Sequence, residues 1–441
     1  MNYRIKAPAM AVAAMFTLTG CNLLDVDNPN SLVEESIQLE AAANGVANGS
    51  LRLTSEAIAS VWEGPAVVAD ELYWTGSRDA WGQLDQGYIE DPQNEFTDAA
   101  FPSLGEAVWM GQNAVAILTE HVNNPDNAGV DSFVEDLGRA HMFNGLILMV
   151  TGEIQDDMTF SNKMEDGPPV GPENMYMVLD DAIDQFDQAI ARFQEVGDAD
   201  LELTATALRA RAKMSRTIWD QLNPTATVGG ALQFPEAAAD AQAVLDEIGT
   251  GQWTYNLTYS AASASASMLG NVNNRGENQI DATLFSNTGP GSSGREDGAV
   301  VLLDPVDGTP DATVAAKITQ FGENEYGDLT IVNAQLMHLI LAEHALAGGG
   351  GSFTDHINAI RDLNGKTTDY AGGSDVEMLQ HTRRVNTLFM GLRLQDMYRW
   401  GLTDPTWQDG SAAKANPGEM LPITIIEVRA NCYLNGQGCG G

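Results

Sequence analysis

Cysteine, histidine and positive charge are scarce in this chain, and each scarcity removes a class of function. Three of the 441 residues are cysteine and six are histidine. Cys21 lies near the N-terminus and Cys432 and Cys439 near the C-terminus, so the body of the chain holds no thiol nucleophile. No H-E-x-x-H pair occurs, and His338 and His344, six apart, do not share a helix face. There is no G-x-S-x-G elbow. Acidic pairs occur throughout, so none stands out as the carboxylate pair of a glycosidase. The chain is therefore expected not to be an enzyme, to hold no metal and to need no cofactor.

Lys and Arg together number 22 against 61 Asp and Glu, a formal net charge of −39. Such a surface repels nucleic acid and anionic headgroups, so no nucleic-acid partner is expected. It also disfavours anionic glycans such as uronic ones, unless calcium bridges them. The acids are spread along the whole chain and read as a solvated coat, whose charges are screened beyond about 8 Å at 0.15 M salt. The nearest approach to a calcium loop is Asn124 to Gly129 with Glu135 at the twelfth place. It starts on Asn and has Ala128 where a ligand is needed, so it reads as a loop before a helix. Long apolar runs are missing too. Spanning a bilayer takes about 20 apolar residues, and no stretch reaches that.

A shorter run is present at the start. Arg4 and Lys6 precede an apolar stretch from Ala7 to Leu18, which ends on Leu18-Thr19-Gly20-Cys21. A charged leader, a short apolar core and small residues before a cut describe a secretory signal. The ending resembles the bacterial lipobox, in which the cysteine is lipidated and becomes the first residue. Residues 1–20 are thus expected to be a lipoprotein signal peptide, Cys21 the lipidation site and residues 21–35 a flexible tether. Acyl chains contribute about 0.8 kcal/mol per buried CH₂, so two or three of them hold a protein to a membrane almost permanently. Export also puts Cys432 and Cys439 in an oxidising compartment, where a short disulfide loop is the default.

Helical periodicity dominates the rest. In MVLDDAIDQFDQAIARFQEV, Leu179, Ala182, Ile183, Phe186, Ile190 and Phe193 fall on one stripe. Residues 133–151, 201–222, 236–248, 329–347, 353–363 and 376–400 are further expected helices. Helices of similar length in pairs imply stacked hairpins of tetratricopeptide type. Two regions break the pattern, 62–102 and 249–326, with short strand-like pieces at 279–285 and 299–303. Gly289 to Gly294 matches G-x-G-x-x-G, but no helix opens after it, so it is read as a loop.

The first irregular region, VWEGPAVVADELYWTGSRDAWGQLDQGYIEDP, concentrates Trp62, Tyr73, Trp74, Trp81 and Tyr88 among glycines that should interrupt any helix. A flat ring beside polar side chains suits a sugar, whose C–H face stacks while its hydroxyls take hydrogen bonds. It equally suits a peptide or a protein interface. About half of these rings are expected to seal the core, since Trp is highly buried on average. The candidate ligand contacts are Tyr73, Trp74, Arg78 and Trp81, with Tyr326 added from the second irregular region.

The C-terminal half carries a resemblance. IVNAQLMHLILAEHALAGGGGSFTDHINAIRDLNG is similar to the SusD/RagB family, with Ala342-Glu343 before a glycine break and Asn358-Ala359-Ile360-Arg361 after it. TRRVNTLFMGLRLQDMYRWG matches the next family segment at Gly391, Arg393, Asp396, Arg399 and Gly401, while Asn386 and Met390 replace its usual acids. LPITIIEVRAN resembles the closing motif through Glu427 and Asn431, and upstream Arg139 and Ala140 fall in register. The resemblance, that of a divergent member, implies a mostly α fold of four tetratricopeptide-like helix pairs with an irregular lid region and short β pieces. Residues 36–441 would form one such domain, with ligand-side insertions at about 62–102 and 249–326. It further implies a lipid-anchored, surface-exposed outer-membrane protein that captures an oligosaccharide or peptide for a SusC-like TonB-dependent barrel. The matched motifs are structural, so the ligand contacts rest on loop chemistry alone. The alternative is a non-catalytic helical-repeat scaffold that holds other proteins on the outer membrane.

Overall fold

Why the helices pair as they do is clearest at three glycines. In the computed structural model, which describes residues 34–162, 164–286 and 298–439, helix α3 (Asp131–Ile154) runs antiparallel to α4 (Tyr176–Val196). Gly138, Gly145 and Gly152 of α3 stand seven residues apart, and so do Phe193, Phe186 and Leu179 of α4. A Cβ at each glycine would meet its partner at 2.7, 2.8 and 2.6 Å. The missing side chains form notches, and the apolar stripe read from the sequence of α4 fills them. The stripe residues Phe186 and Phe193 are fully buried. The leader, Cys21 and the Gly289–Gly294 loop lie outside the described residues.

The other helices extend this contact in both directions. Helices α1 (Ala43–Val61) and α2 (Glu95–Asn123) precede it, and α5 (Ala199–Leu222), α6 (Pro235–Ile248), α7 (Ala334–Leu346) and α8 (Phe353–Leu363) follow. α1 packs on α2, α3 on α4, α5 on α6 and α7 on α8, and successive pairs are joined through α2 on α3, α4 on α5 and α6 on α7. Side-chain caps set several starts: Asn94 for α2, Asp198 for α5, Asn333 for α7 and Ser352 for α8. The protein is therefore mostly α, built from four stacked helix pairs with short β pieces. The long insertions fall inside the first pair and between the third and fourth.

Three expectations need correction. Residues 329–333 are strand rather than helix: five consecutive buried residues, LTIVN, form the strand Leu329–Asn333. A fully buried strand shows no alternation, so its apolar run merged with the helix after it. The expected helix 376–400 is two, α9 (Asp375–Asn386) and α10 (Arg393–Trp400). Between them Phe389 and Gly391 take φ of 59° and 74°. A Cβ on Gly391 would meet the Trp62 indole at 2.6 Å, so the break needs glycine there twice over. The region 62–102 is less irregular than its glycines suggest. Helices Glu63–Val68 and Asp79–Asp85 contain Gly64, Pro65 and Gly82, and α2 begins at Glu95 and continues through Pro102.

The family-like motif residues hold the frame from inside. Arg399 pairs with Glu343 at 2.5 and 3.0 Å and with Asp396 at 2.8 Å, and Arg383 pairs with Asp396 at 2.9 Å, all fully buried. Arg361 donates to both oxygens of Asp304, and Asn358 exchanges hydrogen bonds with the Tyr370 backbone. Asn431 donates to Glu427 and to the Gly167 carbonyl, which seats the C-terminal helix Ile425–Ala430. Arg211 of α5 grips Glu153 of α3 and also donates to the carbonyls of Ile331 and Met390. Cys432 and Cys439 form a disulfide with Cα atoms 4.8 Å apart. Among the described residues no helix is long and apolar enough to cross a membrane.

Candidate ligand-binding surface

A two-stranded antiparallel ribbon organises the aromatic region. Strand β1 (Leu72–Trp74) pairs with β2 (Asn278–Ile280), which sets Tyr73 opposite Gln279 and Trp74 opposite Asn278. Leu72 and Ile280 face the core, at 1% and 0% exposure. Tyr73 and Trp74 stay half-buried, as alternation along a strand requires of at least one of them. The Tyr73 hydroxyl donates to Gln279 Oε1 at 2.9 Å.

Past Trp74 the chain folds around Glu277. The amides of Thr75 and Gly76 donate to its carbonyl at 3.0 and 2.9 Å, and those of Ser77 and Arg78 donate to its carboxylate at 3.1 and 3.2 Å. Gly76 admits this close approach, because a Cβ there would lie 2.1 Å from a carboxylate oxygen. Beneath the ribbon is Glu63, only 2% exposed. Its two oxygens accept from Asn271 Nδ2 at 2.7 Å and Asn278 Nδ2 at 2.9 Å. Burial pushes its carboxyl up to about 8, against the opposing pull of those two amides.

A third segment joins on the other flank. Asn273 donates to the Asn324 carbonyl at 2.8 Å, and Asn274 donates to the Glu325 carboxylate. The Tyr326 amide donates to Asn324 Oδ1 at 2.8 Å, and its phenol is held above the usual range by hydrogen bonding to Glu325. The turn 271–277 therefore sits between segment 75–78 and segment 324–326. It places Arg78 and Tyr326, 248 residues apart in sequence, on flanks of one surface.

Of the five expected contacts, four lie on this surface: Tyr73, Trp74, Arg78 and Tyr326. Arg78 is exposed, with its guanidinium 5.4 Å from the Phe96 ring centre and 3.8 Å from Glu95. Trp81 is placed differently. It is 3% exposed and stacks on Phe96 with centroids 4.0 Å apart and planes 7° from parallel. Its ring supports, through Phe96, the ground on which Arg78 rests. Trp74 leans over Gly82, where a Cβ would meet its ring at 2.7 Å. The residues that sequence reasoning missed are Glu63, Phe96, Asn274, Glu277 and Gln279. The run NVNNRGENQ from Asn271 to Gln279 was the available signal, since so many amides in nine residues exceed what turns need. Among the described residues no group of three or more His, Cys, Asp or Glu is placed to hold a metal ion.

No protein-family model matches the chain, and no curated protein matches it. Solved structures do. A SusD homolog from Bacteroides thetaiotaomicron superposes with a TM-score of 0.63 at 12% identity, covering 91% of this chain and 98% of that one. A SusD-like carbohydrate binding protein from Bacteroides vulgatus gives 0.60 at 12% identity, with 91% and 98% covered. A laminarin binding SusD-like protein gives 0.54 at 11% identity, with 87% and 97% covered. At these identities the likeness is one of architecture, and it runs over nearly the whole length of each chain: this protein has the SusD-like fold.

Proposed function

We propose that the chain is a non-catalytic cell-surface lipoprotein, anchored in the outer membrane through Cys21, that binds an oligosaccharide and delivers it to a SusC-like TonB-dependent barrel. The observation that carries the reading is the surface itself. Three distant segments are tied together by Glu277, Asn274 and Glu63, which brings Tyr73, Trp74, Arg78 and Tyr326 into one region, each of them half-buried or exposed. Half-buried rings give a saccharide its stacking plane, and the amides, carboxylates and guanidinium beside them answer its hydroxyls. Solved neighbours of the fold include carbohydrate- and laminarin-binding proteins. A peptide ligand would use the same rings with the same polar neighbours.

Titration calorimetry against a panel of neutral oligosaccharides and peptides tests the site. Trp74→Ala and Tyr326→Ala should each weaken the bound class by about 1–3 kcal/mol, the range for a stacked ring. Unchanged affinity in both variants would remove this surface from the binding site. A tagged chain should bring a barrel protein with it from outer-membrane extracts. Co-purification of other proteins without a barrel, with no response to the panel, would favour a protein-holding scaffold instead.

A further inference from the structure

A second concavity lies away from the ribbon. It is an open cleft of about 290 Å³ between strand Leu329–Asn333, its partner Thr254–Leu257, helix Ala312–Phe321 and the ends of α8 and α9. That volume lies at the lower edge of the usual range for ligand pockets, about 300–1,000 Å³, and suits one or two sugar rings rather than a long chain. The lining is unusual for this chain. In a protein with 61 acidic residues, no Asp or Glu lines the cleft, and ten of its fourteen lining residues carry a side-chain amide or hydroxyl. The acid coat that disfavours anionic glycans elsewhere is interrupted here.

Several of these amides are fixed in advance. Gln335 donates to Gln252 Oε1 at 3.3 Å and to Asn364 Oδ1 at 3.2 Å, and Asn364 donates onward to Asn386 Oδ1 at 2.9 Å. Gln320 donates to Thr330 Oγ1 at 2.7 Å. Two lining groups remain unanswered. Thr313 is 5% exposed and its Oγ1 has no hydrogen-bond partner. Lys317, the one cation of the lining, has no carboxylate within 4.0 Å among the described residues. Burial pushes its ammonium down to about 8, with the more distant Glu71 acting the other way. Asp328 shares only a smaller adjoining cavity with it. A half-buried ammonium without a carboxylate, beside a hydroxyl that lacks a partner, is completed by one negative charge on a hydroxyl-rich ligand. A free amino acid or peptide would bring an ammonium of its own, for which the lining offers no acid.

We propose that this cleft is a second ligand site, independent of the ribbon surface, that takes a saccharide carrying a carboxylate: Lys317 receives the carboxylate, and Thr313 with the ordered amides receives the ring hydroxyls. The test is calorimetry of the folded protein with glucuronate and galacturonate, alone and as short oligomers, beside glucose as the neutral control. Expected are binding of at least one uronate, little or none of glucose, a tenfold or greater loss in Lys317→Gln, a smaller loss in Thr313→Val, and no change in Trp74→Ala. Circular dichroism and urea midpoints matching the parent chain establish that the variants are folded. Uronate binding that survives Lys317→Gln but falls in Trp74→Ala would overturn this site while supporting the ribbon surface. Absence of uronate binding, or equal binding of glucose, would overturn it outright.

Discussion

Glu63 shows how much one buried side chain can govern. It lies under the ribbon and holds Asn271 and Asn278 at once, so the geometry of the candidate surface passes through its carboxyl. That carboxyl is raised from 4.5 to about 8, and Glu71, which accepts from the Phe389 amide, is raised to about 8 by burial as well. A carboxyl with a raised folded-state value keeps its proton while the unfolded chain has lost it. Its contribution to stability is complete below about pH 4.5 and is lost as pH climbs toward 8, by up to about 1.4 kcal/mol per pH unit per group. Glu63→Gln has no proton to lose, so its urea midpoint should fall less between pH 5 and pH 8 than that of the parent chain. An identical fall in both would show that Glu63 is already ionised at the lower pH. Nothing in the sequence marked this residue. Aromatic content located the ribbon, but which ring faces solvent depends on packing: Trp74 and Trp81 stand seven apart in similar surroundings, and only Trp81 meets Phe96 face to face.

At the level of elements, the notches of α3 set the sign of a glycine substitution. Gly145→Ala would drive a methyl group to 2.8 Å from the Phe186 ring, and overpacking of this kind costs about 1–3 kcal/mol. Gly105 of α2 has nothing within 4 Å of its Cβ position, so Gly105→Ala should stabilise by roughly 0.5–1 kcal/mol through helix propensity alone. Opposite shifts in thermal midpoint for the two variants would confirm the notch, and shifts of the same sign would refute it. The helices were legible where one face is buried and the other wet, as in α4. They were illegible where burial is complete. Leu329–Asn333 and α7 form one apolar run, and only Asn333, whose side chain caps α7 by accepting from Leu336, marks the change of structure.

For the whole molecule, the proposed anchor at Cys21 is open to a direct test. Cys21→Ala should move the exported protein from the membrane fraction to the soluble fraction. Retention in the membrane without acylation would point to another means of attachment. The helices of the second, third and fourth pairs were readable from spacing, whereas those of the first, Ala43–Val61 and Glu95–Asn123, were not among the expected helices; the motif residues Glu343, Arg361, Asp396 and Arg399 each take part in a buried ion pair. The meeting of residues 75–78 with 324–326 was not readable, because the turn that joins them contributes hydrogen bonds rather than a periodic pattern. The notched pair has one further consequence. Each residue advances a helix by about 100°, so a single insertion or deletion within α3 or α4 would swing every later glycine away from its ring. Changes of length are thereby confined to the connections, and those connections carry both the ribbon and the cleft. Loops can therefore lengthen or shorten, and reshape the ribbon and the cleft, while the helical scaffold stays the same size.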